Sequence, residues 1–577
     1  MVQNNPNNSQ QNSLYIQQHP LYIFVSGGVI SGIGKGVCAS ALGVLLKRRG
    51  FNLGIVKCEN YLNVDSGTIN PIEHGDPFLC NDGLEADMDL GTYERFLGDE
   101  MGHKNFTTMG QIYKTVIDKE RAMGYHGEDV EAIPHVSDEI IRRIIEAGKD
   151  KDIVIVELGG TAGEYQNMLY YEACRIMKTT IPGKVINVHV SYLLLPRHLG
   201  EPKTKPTQMS VSTLMTMGIL PEFLVLRGES GLDERRRYLL GLKTSVPGQN
   251  VISAPDVKTI YEVPLLFAEQ EFDAKILHHS GLFPKTLELS DWKRLVHKIK
   301  ANTEVGQDKT ITVAIAGKYL SKNRGDFELV DVYDSLVEAI KHASWETGIK
   351  VEIDFVSTIA IEEQGEEALL NGKDAIIVPI GWGKRGAEGK IQAVNYARKN
   401  KIPYLGLCYG MQLACIEFAR NVVGLKDADT EENSATTTNP VIHSIPMDSK
   451  YQIIKGEGTS MRLGAYDCVI KENTLAAELY DKYKGWKSKP SRLVSERHRH
   501  RYEFNNSYRK ALEEKGLIIS GTSPDNFFVE VVELPKSIHP FFIATQGHPE
   551  YKSKPLTPHP FFMGLIEAAV QEKGKKE

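Results

Sequence analysis

After a polar stretch the chain enters LYIFV, Leu21 to Val25, an apolar run rich in large and β-branched residues. It is too short for a helix and is broken by Ser26-Gly27-Gly28, so it predicts a buried strand. The helix-compatible run CASALGVLLKRRG follows. Further apolar runs, FNLGIVK, DIVIVEL, VINVHVSYLLL, FLVLR and NVISA, read as strands, with amphipathic segments such as DEIIRRIIEAGKD between them. That alternation predicts a parallel sheet covered by helices on both faces. Across 287–308 the pattern turns polar around one amphipathic helix, which reads as a linker. KTITVAIAG then opens a second set of strands, VEIDFVS, AIIVPIG and PYLGLC. The expected fold class is α/β, with two doubly wound parallel-sheet domains at 20–286 and 309–566. A polar leader (1–19) and a charged tail expected to fray (567–577) flank them.

A length of 577 residues exceeds one core and agrees with several domains. The net charge of −6 offers no surface for a nucleic-acid polymer. Seven cysteines without a CxxC pair suggest neither a zinc site nor a disulfide framework. No apolar run reaches the roughly 18 residues of a membrane span. The Asn/Gln/Ser-rich start lacks the apolar core of a signal peptide. A cytoplasmic protein with reduced thiols is expected.

The first strand feeds a glycine-rich turn in which Gly32, Gly34 and Gly36 surround Lys35, ahead of a helix. Such a turn lets backbone N–H groups close on a phosphate, with the lysine reaching its outer oxygens, and makes the first domain P-loop-like. A strict P-loop has Ser or Thr after the lysine to hold magnesium; here that position is Gly36. Residues just past strand ends line the crevice of an open parallel sheet. Lys35, Lys57 and Glu157 should therefore converge, with the acidic loop around Asp82, Glu85, Asp87 and Asp89 beside them. Asp89 and Glu157 are the expected magnesium ligands, whereas Asp82 and Glu85 read as solvated. In GEPKTKPTQ the prolines should hold Lys203 and Lys205 on a stiff extended segment suited to a second phosphate tail. Arg227 and Arg235 to Arg237 add positive charge, so two nucleotides are expected.

In the second domain PYLGLCYGMQ reads as strand, sharp turn and helix, with Cys408 as an exposed nucleophile. His548 and Glu550, after the strand FFIAT, would serve as base and orienter. The glycine-rich turn VPIGWGKRG is the expected source of oxyanion N–H donors. Cys415 and Cys468 read as structural.

GLCYGMQ with HPE resembles the class I glutamine amidotransferases. SGGVISGIGKG, NVDSGTINPIEHGDPF, DGLEADMDLGTYERF, VELGGTAGE, KTKPTQ, MRLG and ERHRHRYEFN, in this order, are similar to the CTP synthase family. The resemblance implies a ligase that phosphorylates O4 of UTP with ATP and replaces the phosphate with ammonia released from glutamine. It implies magnesium, activation by GTP, inhibition by the product CTP and a homotetramer. It assigns the nucleotide phosphates to Ser31, Gly32, Ile33, Gly34, Lys35, Gly36 and Val37, with Lys57 near the reacting phosphates. Glu164, Tyr165 and Gln166 go to the CTP side, and Lys203, Thr204, Lys205, Pro206, Thr207 and Gln208 to the pyrimidine nucleotide. Arg237 stands at a nucleotide-binding position; Pro255, Asp256 and Val257 lie near adenine. Gly381, Tyr409, Gly410, Met411, Gln412, Glu432 and Arg501 would contact glutamine, Glu432 taking its ammonium and Arg501 its carboxylate. A related amidoligase with another acceptor, or a non-catalytic filament-forming relative, are the alternatives.

Several positions depart from the family pattern. Ile380 stands where the oxyanion turn has glycine, and a positive φ there would strain it. Tyr409 and Trp382 should narrow the glutamine pocket. Glu164 and Gln166 replace Asp and Glu, which predicts altered CTP inhibition. Arg237 replaces a lysine, Met209 a histidine, and SMRLG carries one extra residue near the expected GTP loop.

Overall fold

The computed structural model describes residues 19–69, 75–196, 202–319, 330–446, 453–454 and 460–576. The first 18 residues of the expected leader, and 70–74 and 200–201 of the quoted motifs, lie outside them. The fold divides into two units. One takes the chain up to Thr68 and Asp89–Val296; the other takes Ile69–Met88 and His297–Glu577.

The first unit is built on seven parallel strands. Their order is Phe106–Thr108, Leu53–Glu59, Ile153–Leu158, Leu21–Gly27, Val185–Tyr192, Phe223–Gly228 and Val251–Pro255. Strands buried on both faces need apolar residues at nearly every position, which is why continuous runs, not alternating ones, marked them. Lys57 is paired in register with Glu157, so both side chains leave the same sheet face near the strand ends.

The second unit has a ten-stranded sheet. Five strands are parallel: Lys350–Ser357, Thr310–Gly317, Ala375–Val378, Tyr404–Leu407 and Phe542–Thr545. Alternate residues of one strand feed two cores: Ile311, Val313 and Ile315 face one cluster, Ala314 and Ala316 the other. The doubly wound α/β reading therefore holds. The sheet is extended by antiparallel strands, Val529–Glu533, Ile518–Thr522, Ser460–Ile470 and Leu493–His500 among them.

Three local expectations change. The segment from Lys205 is not extended: it is the first turn of the helix Lys205–Thr216. Pro206 sits where a helix needs no N–H donor, so it starts the helix and does not stiffen a loop. Glu85 is not solvated but buried, accepting from Arg499 Nε at 2.5 Å. The charged C-terminus does not fray; the helix Pro560–Lys576 continues through it. Phe561, Phe562, Leu565, Ile566 and Ala569 seat this helix in the core, and Lys573 donates to Thr310 O at 2.7 Å.

Candidate active sites

In the first unit the turn after Leu21–Gly27 reaches Gly34 at φ 86°, and the helix Lys35–Arg48 begins at once. Ser31 and Gly32 are exposed, Ile33, Lys35 and Gly36 are buried, and Val37 is half-buried. The Lys35 ammonium donates to Gly160 O at 2.6 Å. Burial, and then Lys57 nearby, lower its pKa. Lys57 is buried among three carboxylates. It lies 2.8 Å from Glu157 Oε1 and 3.2 Å from Glu59 Oε1, and it is hydrogen-bonded to Asp89. Burial alone would lower the Lys57 pKa, but Asp89 and Glu157 raise it well above its ordinary value. Glu157 is 1 % exposed and also accepts from Tyr93. Burial pushes its pKa up, whereas Lys57 outweighs burial at Asp89 and pulls that one down.

These carboxylates fit magnesium. A Cβ on Gly36 would lie 2.7 Å from Asp89 Oδ1 and 3.5 Å from Glu157 Oε2, so the hard oxygen donors sit against the start of the helix Lys35–Arg48. Among the described residues no group of three or more His, Cys, Asp or Glu could hold a metal by itself. Two carboxylates completed by phosphate and water oxygens is the arrangement magnesium favours.

Around this crevice, Arg227 Nη2 donates to Asp256 Oδ1 at 2.9 Å beside Pro255 and half-buried Val257. Glu164 accepts from Thr161 N at 2.9 Å and from Asn60, while Tyr165 is 87 % exposed and Gln166 is exposed. Lys203 N bonds to Leu194 O at 2.7 Å, Gln208 Nε2 to Thr204 Oγ1 at 3.0 Å, and Thr207 Oγ1 to Tyr192 O at 3.2 Å. The Arg237 guanidinium is turned inward, to Val251 O and Glu234.

In the second unit Cys408 sits between the strand Tyr404–Leu407 and the helix Tyr409–Phe418 with φ 54° and ψ −103°. A non-glycine residue held in that region is strained, as a nucleophile elbow requires. His548 Nδ1 lies 2.7 Å from Glu550 Oε1. Burial works to lower the His548 pKa, but Glu550 and Cys408 outweigh it and raise it to about 10. Gln546 Nε2 reaches Cys408 Sγ at 3.6 Å, and Gln412 Nε2 ties to Gln546 Oε1 at 3.1 Å and Tyr502 O at 2.8 Å. Gly410 and Met411 form the first helical turn beside the thiol. Cys415 and Cys468 are buried, with pKa values raised chiefly by burial.

The turn from Pro379 to Gly383 adjoins this centre. Ile380 does not take a positive φ; it is buried in the apolar core. The glycine that the turn requires is Gly381, where a Cβ would lie 2.6 Å from Lys318 Cδ and 3.0 Å from Lys390 Nζ. Glu432 Oε1 accepts from Gly383 N at 2.6 Å; burial raises its pKa. Tyr409 is buried beneath the turn, its hydroxyl 3.1 Å from Asn433 Oδ1, and half-buried Arg501 follows the strand Leu493–His500.

Residues 21–282 match the family profile "CTP synthase N-terminus", and residues 328–568 match "Glutamine amidotransferase class-I". The CTP synthase of Pyrococcus furiosus is 45% identical over 558 residues, 96% of this chain and 99% of that protein. That of Bacillus subtilis is 42% identical over the same shares. The chain belongs to the CTP synthase family. It is a ligase of that family, with a synthetase half and an amidotransferase half. The glutaminase domain of Trypanosoma brucei CTPS, solved with bound acivicin, is 36% identical with a TM-score of 0.40, covering 45% of this chain and 94% of that one.

Several residues beside these two centres of a CTP synthase family member escaped the sequence reading. Glu59 ends the same strand as Lys57, and the strand-end rule could have found it. Tyr93, Gln546, Lys318 and Lys390 carry no such signal. The partners of Tyr93, Gln546 and Lys318 lie far along the chain, and Lys390 meets carbonyls ten and eleven residues before it.

Proposed function

We propose that the chain makes CTP from UTP, ATP and glutamine. One observation carries this reading: a single chain holds both a strained cysteine backed by a His–Glu pair and a phosphate cradle lined by lysines and carboxylates.

At the cysteine centre, the Cys408 thiolate attacks the amide carbon of glutamine, which Glu432 holds by its ammonium and Arg501 by its carboxylate. Protonated His548, oriented by Glu550, gives its proton to the leaving ammonia. N–H groups near Gly381 and the helix start take the oxyanion, and water then releases glutamate from the thioester. At the synthetase centre, Lys35 and Lys57 orient ATP and the UTP O4 in line, so that the γ-phosphoryl passes to O4. Ammonia adds at C4 and the phosphate leaves, yielding CTP. Asp89 and Glu157 would hold magnesium, which when bound neutralises charge on the phosphate oxygens. Ammonia delivered within the protein stays unprotonated and therefore nucleophilic.

Activation by GTP, inhibition by CTP near Glu164 to Gln166, a homotetramer and a cytoplasmic location belong to the same proposal. Among the described residues no helix is long and apolar enough to cross a membrane.

The test is CTP formation from UTP, ATP and magnesium, with glutamine or with ammonium, in wild type and Cys408→Ala. The variant should lose glutamine-dependent synthesis by on the order of 10³-fold or more while using ammonium normally. Failure of wild type with both nitrogen sources would refute UTP as acceptor.

A further inference from the structure

Asp76 stands in the loop HGDPFLCNDG, far from the cysteine and histidine motifs in sequence. It falls within residues 21–282, which match the synthetase profile, yet it belongs to the second unit, which includes Ile69–Met88. Half-buried there, it lies against the catalytic turn. Its Oδ2 accepts from the Tyr551 hydroxyl at 2.9 Å, and Pro77 O lies 3.2 Å from the same hydroxyl. Its Oδ1 accepts from Arg499 Nη1 at 3.0 Å. Arg499 already has Glu85 as a counter-ion through Nε. What Asp76 adds is an acceptor for Tyr551.

Tyr551 follows Glu550 in the short helical turn Pro549–Tyr551. It is buried and stacks on the His548 imidazole, with ring centroids 5.3 Å apart and planes at 27°. Phe78, two residues after Asp76, packs edge-on against the Tyr551 ring at 5.3 Å. Arg497 Nη1 donates to Tyr551 O at 3.2 Å and Leu79 O at 2.8 Å, which ties the same loop to the turn. Glu550 meets His548 at one ring edge, Nδ1, and sets the direction of that edge. The tilt of the ring plane is set by what lies on its face. A stacked tyrosine can set it only if its own ring is held, and the acceptors at its hydroxyl pin the far end. Arg499 brings the nucleophile into the same arrangement, because Cys408 Sγ donates to Arg499 O at 3.8 Å.

We propose that Asp76 is a positioning residue of the glutaminase centre, which acts through Tyr551 to hold the His548 imidazole in the plane from which it passes its proton. The inference rests on the glutaminase reading above and deepens it. Glu550 orients the base at its edge and Asp76 at its face, and Asp76 lies outside residues 328–568, which match the amidotransferase profile.

The experiment uses the full-length protein: wild type, Asp76→Ala, Tyr551→Phe and the double variant. Each single change should lower kcat for glutamine hydrolysis about tenfold, with KM for glutamine within about threefold and ammonium-dependent CTP formation at the wild-type rate. The double variant should be no slower than the slower single one, because both changes remove the same hydrogen bond. Losses that multiply to about 100-fold in the double variant would overturn the proposal. So would wild-type kcat in both single variants, or a KM that rises at unchanged kcat. Tyr551→Phe keeps the ring and its volume, and it decides the matter if Asp76→Ala does not fold. Crystal structures of wild type and the single variants give a second readout: the His548 ring should tilt from its wild-type plane, and an unmoved ring would overturn the proposal. Should wild type fail to hydrolyse glutamine, the functional reading falls, while the ring position still judges Asp76.

Discussion

Lys57, near the end of the strand Leu53–Glu59, and Lys390, in the helix Ala387–Asn400, are both buried lysines, and the two units treat them in opposite ways. Lys57 is surrounded by Glu59, Asp89 and Glu157, which hold its pKa well above the ordinary value. Lys390 has only carbonyls, and its pKa is driven down. The first arrangement neutralises charge before any ligand arrives, so a cation or a phosphate must exchange with a partner already in place. The second gives the amine carbonyl acceptors and no counter-ion, so burial works against its charge. Burial is common to both; the counter-ions decide what the lysine can do.

The sharpest test of this contrast is stability. Lys57→Met should destabilise the protein by about 3–5 kcal/mol, because it leaves buried carboxylates facing one another. Lys390→Met should cost less, since no buried carboxylate loses a partner and only the hydrogen bonds to Pro379 O and Ile380 O are given up. Calorimetric melting of both variants checks this; equal losses would erase the distinction. Glu157→Gln should lower CTP formation with either nitrogen source by on the order of 10²-fold, whereas cysteine-centre changes affect glutamine alone.

Glu550→Gln comes next. It should slow glutamine hydrolysis by about 10- to 100-fold and leave ammonium use intact. It also has a pH signature. The folded His548 pKa lies above its unfolded value of 6.5, at about 10. The stability gained from its charge is therefore complete below about pH 6.5 and is lost as pH rises toward 10. The melting-temperature gap between wild type and Glu550→Gln should shrink across that window. A constant gap would remove the Glu550 carboxylate as the cause.

The smallest effect is expected for Ile380→Gly. Ile380 is buried without a positive φ, so glycine relieves no strain and should change glutaminase kcat by less than about threefold. A large gain would show that the turn is held back by its side chain.

Much of this molecule is written locally. The strand-turn-helix at Lys35 and the one at Cys408 were legible because glycine spacing, apolar runs and the end of a strand are properties of a few neighbouring residues. The same rule placed Glu157 and His548 at strand ends. Where a residue's state depends on distant partners, local reading failed. Glu85 looks like one more acid in a polar loop, yet it is buried because Arg499 reaches it from a strand more than 400 residues later. Pro206 reads locally as a stiffener of extended chain, yet it sits in the first turn of the helix Lys205–Thr216.

The sequence by itself determined the α/β fold and the sharp strand-to-helix turns at Lys35 and Cys408, since periodicity and turn chemistry act over a few residues. Tertiary structure alone decided which charges are paired. It gave Lys57 three carboxylates and Lys390 none, seated Gly381 against two lysine side chains, and carried the C-terminal helix through a charged tail. The physical reason is that the energy of a charge is set by burial and by whatever lies within a few ångströms, and folding brings those neighbours from anywhere in the chain.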